Sequence, residues 1–122
     1  MIKNARKFIN TKVFEDGTGK YLGKVSDVAF ADNSLKGYYV SSDSIVPLLG
    51  LVFPSSVTAY KKGKLFVSGV SHSSSDFTTF KKNISRQNIF SGKEKIGKGR
   101  DMLFNFETGE IEGFLYSENI LA

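Results

Sequence analysis

Three groups of residues carry letters that chemistry could use. Gly92-Lys93-Glu94-Lys95-Ile96-Gly97-Lys98 has the spacing of a phosphate-binding loop. Such a loop needs Ser or Thr next, to hold magnesium, and a helix after it. Gly99 and a strand pattern follow instead, so nucleotide binding is set aside. Ser71, His72, Ser73 and Asp76 contain the letters of a hydrolytic triad, but no Gly-x-Ser-x-Gly elbow is present to present a nucleophile. A His in a Ser-rich stretch reads as solvated. Asp27 and Asp101 sit in matching contexts, where each carboxylate is expected to satisfy backbone amides at a strand irregularity. No second carboxylate recurs beside them, so no calcium loop can be assembled. The chain has no Cys and a single His. A disulfide framework, a thiolate zinc site, a CxxC redox centre and a His pair are therefore excluded. The residues point to a non-enzymatic protein with no cofactor and no metal.

The elements that would position these residues are strands. Residues 20–40, KYLGKVSDVAFADNSLKGYYV, match residues 94–116, EKIGKGRDMLFNFETGEIEGFLY. Gly23 meets Gly97, Lys24 meets Lys98, Asp27 meets Asp101 and Phe30 meets Phe104. After a two-residue insertion, Leu35 meets Ile111, Gly37 meets Gly113, Tyr38 meets Phe114 and Tyr39 meets Leu115. Upstream, Val13-Phe14 meets Ile89-Phe90. Each copy reads as a β-meander: a short strand, a turn, a long strand near Leu22–Ala31, a second turn, and a strand over Lys36–Ser41 or Glu110–Ser117. Leu22 and Phe30 share a parity that Val25 does not, which predicts a β-bulge near Ser26-Asp27. Copy one continues with a strand inside Ile45–Val52, a helical turn at Phe53–Val57 opened by Pro54, and a hairpin of Val57–Tyr60 and Lys64–Val70. The second match stops after its third strand, leaving a sheet edge without a partner in its own copy. No amphipathic helix is expected anywhere.

A short strand, an acidic-Gly turn, Gly23-Lys24-Val25-Ser26-Asp27-Val28, the strand Leu35–Val40 and Phe53-Pro54-Ser55-Ser56-Val57 together resemble the PRC-barrel domain. The resemblance covers about residues 9–70, and Ile96–Tyr116 resembles the first half of a second such domain. It implies an all-β protein: a small PRC-type β-barrel with a second, partial β-meander. Such domains mostly act as interaction platforms and share no catalytic residue. Tandem arrangements of them occur in bacterial proteins. The expected organisation is a PRC-like domain over 1–70, a Ser-rich linker over 71–84 and a partial repeat over 85–122, packed on the first.

Charge and hydropathy nominate the surfaces. The chain of 122 residues carries a net charge of +5. Residues 61–100 hold ten basic and two acidic residues, and residues 101–122 hold five acids and no base. Lys61, Lys62, Lys64, Lys81, Lys82 and Arg86 form a candidate basic face. Solubility is its first explanation, an acidic protein its second and nucleic acid its third. Leu48, Leu49, Leu51 and Val52, beside Pro47 and Gly50, form a candidate apolar interface. The leading reading is a cytoplasmic module that binds a protein partner or itself, as a homodimer. An RNA- or ribosome-associated factor is the alternative. The longest nearly apolar stretch, Ile45–Phe53, is too short to span a membrane.

Overall fold

The computed structural model describes residues 1–72 and 77–118. The chain is all-β, as its alternating patterns require. It runs through β1 (Ile2–Asn4), α1 (Ala5–Phe8), β2 (Lys12–Glu15), β3 (Tyr21–Ala31), β4 (Ser34–Ser41) and β5 (Leu49–Val52). A 3-10 turn at Pro54–Ser56 leads to β6 (Val57–Lys61) and β7 (Lys64–Val67). Then come β8 (Thr78–Thr79), α2 (Phe80–Asn83), β9 (Asn88–Ser91), β10 (Glu94–Asn105) and β11 (Ile111–Ser117).

The described strands form two sheets in place of the expected closed barrel. One has the order β5-β4-β3-β2-β7-β6, with β8 also on β3; the other is β1-β10-β11, with β9 also on β10. Closure fails because the first path ends on β5 at one side and β6 at the other. The other edge of β3, away from β4, is shared by two neighbours. Residues Tyr21 to Lys24 pair with β2, whereas Ala29 and Phe30 pair with β8. The bulge itself lies where the parity break put it: pairing jumps from Val25–Val40 to Asp27–Tyr39. β10 skips in the same way between Gly99 and Asp101.

Turn chemistry matches the sequence. Asp32 and Asn33 both have positive φ, as do Lys62 and Gly63, the mirror-image turns that suit two-residue hairpins. Residues Ser42 to Leu48 form a loop, and the strand expected inside Ile45–Val52 is β5. Pro47 has no N–H to donate, and the Ser42 hydroxyl instead accepts from the Leu48 amide at 2.8 Å. The two four-residue helices have no periodic signature in the sequence, because one turn is too short to show a 3.6-residue period. Part of the segment expected as a linker is ordered: Ser71 bridges Leu51, and 78–83 form β8 and α2. Ser73 to Asp76 lie outside the described residues.

The halves exchange their leading segments. β1 pairs with β10 of the second half, and β8 pairs with β3 of the first. Each exchange is held by one of the matched aspartates. Asp101 Oδ1 accepts from the amides of Met102 at 2.8 Å and Arg6 at 3.0 Å, and its Oδ2 accepts from Asn4 Nδ2 at 3.1 Å. Asp27 Oδ1 accepts from the amides of Val28 at 2.8 Å and Lys81 at 3.1 Å. The turns also reciprocate: Leu35 N donates to Gly109 O, and Ile111 N donates to Asn33 O. Behind these contacts lies one core. Phe8 of α1 stacks on Tyr38 at 4.8 Å and meets Phe104 of β10 at 5.9 Å.

Asp101 is buried and satisfies two backbone amides that water cannot reach freely. Asp101→Ala is therefore expected to cost roughly 3 kcal/mol. Asp27→Ala, at a less buried site with one contact fewer, is expected to cost about half of that. Urea unfolding of both variants checks the order.

Candidate interaction surfaces

The apolar run Leu48–Val52 divides at the start of β5. Leu51 and Val52 are core residues, 2% and 0% exposed, which corrects their assignment to a surface. β5 pairs with β4 from Leu49–Ser41 to Val52–Tyr38, and this register turns Val52 against the core. Leu48 and Leu49 are 69% and 59% exposed, and they continue an apolar loop with Ile45 and Val46, both also exposed. Among the described residues, the outer edge of β5 is bonded at one point, where Leu51 and Ser71 exchange two backbone hydrogen bonds of 2.8 Å.

The second surface is β11, which pairs with β10 on one side and with no described strand on the other. Its matched strand, β4, is flanked by β3 and β5. The same positions consequently meet different surroundings. Tyr38 is 1% exposed, whereas Phe114 is 44% exposed. A Cβ on Gly37 would stand 2.7 Å from the Val52 carbonyl oxygen, whereas one on Gly113 would meet nothing within 4 Å. The inward contact is nevertheless alike: Tyr38 to Phe104 and Phe30 to Phe114 are both 6.3 Å between ring centroids. Leu115 and Tyr116 are exposed alongside Phe114, and Phe90 of β9 is exposed as well.

The six candidate basic residues fall into two groups. Lys61, Lys62 and Lys64 occupy the β6–β7 hairpin at one end of the larger sheet. Lys81 and Lys82 lie on α2, which is anchored to β3 through Asp27, and the Arg86 amide bonds to the Gly99 carbonyl. β2 separates the hairpin from β3, on which α2 is anchored. In exchange, strand pairing brings Lys12 beside Lys64 and Lys24 beside Lys12. Sequence reading missed both. The available signal was the tripeptide Lys-apolar-Phe, present as Lys12-Val13-Phe14 and again as Lys64-Leu65-Phe66.

Other chemistry-bearing residues have structural surroundings. Gly23 and Gly97 have φ of 138° and 158°, and a Cβ on either would collide with the carbonyl oxygen of Ser41 or Ser117. Gly92 turns the β9–β10 hairpin, and Lys98 follows within β10, so no helix begins after this stretch. His72 borders a depression of about 330 Å³ with Lys20, Tyr21, Leu48 and Gly50. Tyr21 Oη donates to Asp43 Oδ2 at 2.6 Å, and this bond is the main reason its pKa is raised to about 12. No helix among the described residues is long and apolar enough to cross a membrane. No group of three His, Asp or Glu able to hold a metal occurs among them.

No family model matches the chain, and no curated protein matches it either.

The contrast between the matched glycines generates a direct test. Gly37→Ala is expected to destabilise by roughly 1–3 kcal/mol, because the methyl group must displace β5 backbone. Gly113→Ala adds a side chain in open space and relieves glycine entropy, so it is expected to be neutral or to stabilise by about 0.5 kcal/mol. Leu51→Ala is expected to cost roughly 2–5 kcal/mol, and Leu49→Ala well under that. Thermal melts of the four variants decide the matter.

Proposed function

We propose that this chain is a non-enzymatic interaction module of the PRC-barrel kind, built from two copies of one β unit and acting in the cytoplasm. Its recognition element is the outer edge of β11, and its partner there is a second copy of the chain. The observation that carries this reading is the pair of matched positions. Tyr38 and Gly37 are sealed by an antiparallel strand, whereas Phe114 is 44% exposed and a Cβ on Gly113 would meet open space.

An open strand edge offers a row of unpaired amides and carbonyls to another chain. A two-fold axis normal to the sheet sets identical edge strands antiparallel, the direction in which β5 covers β4. A register centred on Phe114 places Glu112 opposite Tyr116 of the second copy. Each apolar side chain fully buried by the pairing would contribute roughly 1.5–3 kcal/mol. The PRC-like character is supported by the order of its elements along the chain, from Gly23 to Asp27 on β3 through the turn at Pro54.

Sedimentation equilibrium tests the proposal. The wild type is expected to be a dimer at micromolar concentration. Leu115→Lys and Tyr116→Lys, at exposed positions, are expected to give folded monomers. A wild type that remains monomeric at several hundred micromolar would overturn self-association.

A further inference from the structure

Strand pairing builds a row of four lysines that no stretch of sequence displays. Lys24 of β3 lies opposite Lys12 of β2, Lys12 opposite Lys64 of β7, and Lys64 opposite Lys61 of β6. Residues directly opposite one another across a ladder share a face. The facing residues Val13, Val25 and Leu65 are fully buried, so the lysine row lies on the outer face of the larger sheet. Two positions along, the same face carries a second row. Phe14 is paired with Tyr21 on one side and Phe66 on the other. The ring centroids are 5.4 Å and 5.8 Å apart.

The two rows touch. Lys64 Nζ sits 5.6 Å from the Phe14 ring centroid, and Lys61 Nζ sits 5.7 Å from that of Phe66. Lys12, Phe14, Tyr21, Lys24 and Asp43 line a shallow depression of about 340 Å³. Asp43 is committed to Tyr21 Oη. Among the described residues the one ion pair joins the Met1 ammonium to Glu107, so none of the four lysines has a carboxylate partner.

Like charges directly opposite across strands destabilise a sheet. Four in a row, unneutralised, are a standing cost to folding that an anionic ligand would remove. The adjoining aromatic row narrows the ligand. Rings on a sheet face stack unpaired bases, and lysines beside them follow the phosphates. A duplex hides its base faces, and an acidic peptide has none. We propose that this face binds single-stranded nucleic acid, with Phe14, Phe66 and Tyr21 as the stacking platform and Lys12, Lys24, Lys61 and Lys64 as the phosphate contacts.

The site is on the larger sheet and β11 is on the smaller one, so this inference stands apart from self-association. Fluorescence anisotropy with a labelled 12-mer of oligouridine at low salt provides the test. Binding is expected, with log K falling against log salt by about 0.7 for each engaged lysine. Lys12→Gln combined with Lys64→Gln is expected to weaken binding and to flatten that slope by about 1.4. The same variant is expected to melt at a higher temperature than the wild type, because it relieves the like-charge row. Phe14→Leu keeps apolar volume but removes a ring, and it is expected to lose roughly fivefold or more in affinity at an unchanged slope. Absence of binding at low salt would overturn the proposal. So would binding indifferent to both the lysine and the Phe14 variants, or a duplex of equal length bound as tightly as the single strand.

Discussion

A carboxylate that gathers backbone amides from the opposite half is the contact on which this molecule depends. Asp101 holds the amide of Arg6 and the side chain of Asn4, and thereby fixes the segment that delivers Phe8 to the core. Asp27 holds the amide of Lys81 and fixes the segment that delivers Phe80. Both phenylalanines are almost fully buried in one cluster with Met102, Phe104 and Tyr38. A unit of about 60 residues buries too little surface to be secure alone. Exchanging the leading segments lets each half borrow apolar surface from the other, and the aspartates make the exchange specific. An amide inserted at a wrong register would leave a buried carboxylate without its donors.

The same framework supports two different degrees of completion. In the first half, β5 covers the edge of β4 while β7 covers that of β2. Tyr38 and Gly37 are consequently sealed. In the second half, β9 and β11 flank β10, and no described strand covers either of them on its other side. Phe114 keeps its contact with Phe30 yet remains nearly half open on its other side. The exposure of β11 accompanies the lack of a described strand on its outer side, while its ring contact with Phe30 matches that of Tyr38 with Phe104.

Local chemistry was legible in the sequence to the extent that it is local. The parity break at Ser26-Asp27, the Asp32-Asn33 turn, the helical turn opened by Pro54 and the Lys61–Lys64 hairpin all depend on a few adjacent residues. What could not be read depends on which distant strands become neighbours. Leu51 and Val52 look like part of one apolar run with Leu48 and Leu49 until β5 pairs with β4 and buries them. The exchange of β1 and β8 has no periodic signature, because strands of three and two residues show no alternation. The aspartates read as amide acceptors from sequence, but three of their five donors come from 54, 95 and 97 residues away.

The candidate basic face shows why long-range register matters for function. Lysines at hairpin tips and strand edges keep sheets soluble and block edge-to-edge pairing. That explanation suits Lys61 and Lys62, which end the larger sheet at β6. It does not suit Lys12 and Lys24, which stand on β2 and β3 with a strand on either side. There the ladder is already complete and no edge needs protection. A neutral polar residue at either position would solvate the outer face equally well and avoid the repulsion across the ladder. Aromatic neighbours sharpen the contrast, since Phe14 and Phe66 expose part of their rings on a face that solubility alone would make polar. Charge that repels itself, set beside apolar rings left partly in water, is an arrangement that folding alone does not favour. Both costs fall together when a ligand brings phosphate to the first row and a flat apolar surface to the second.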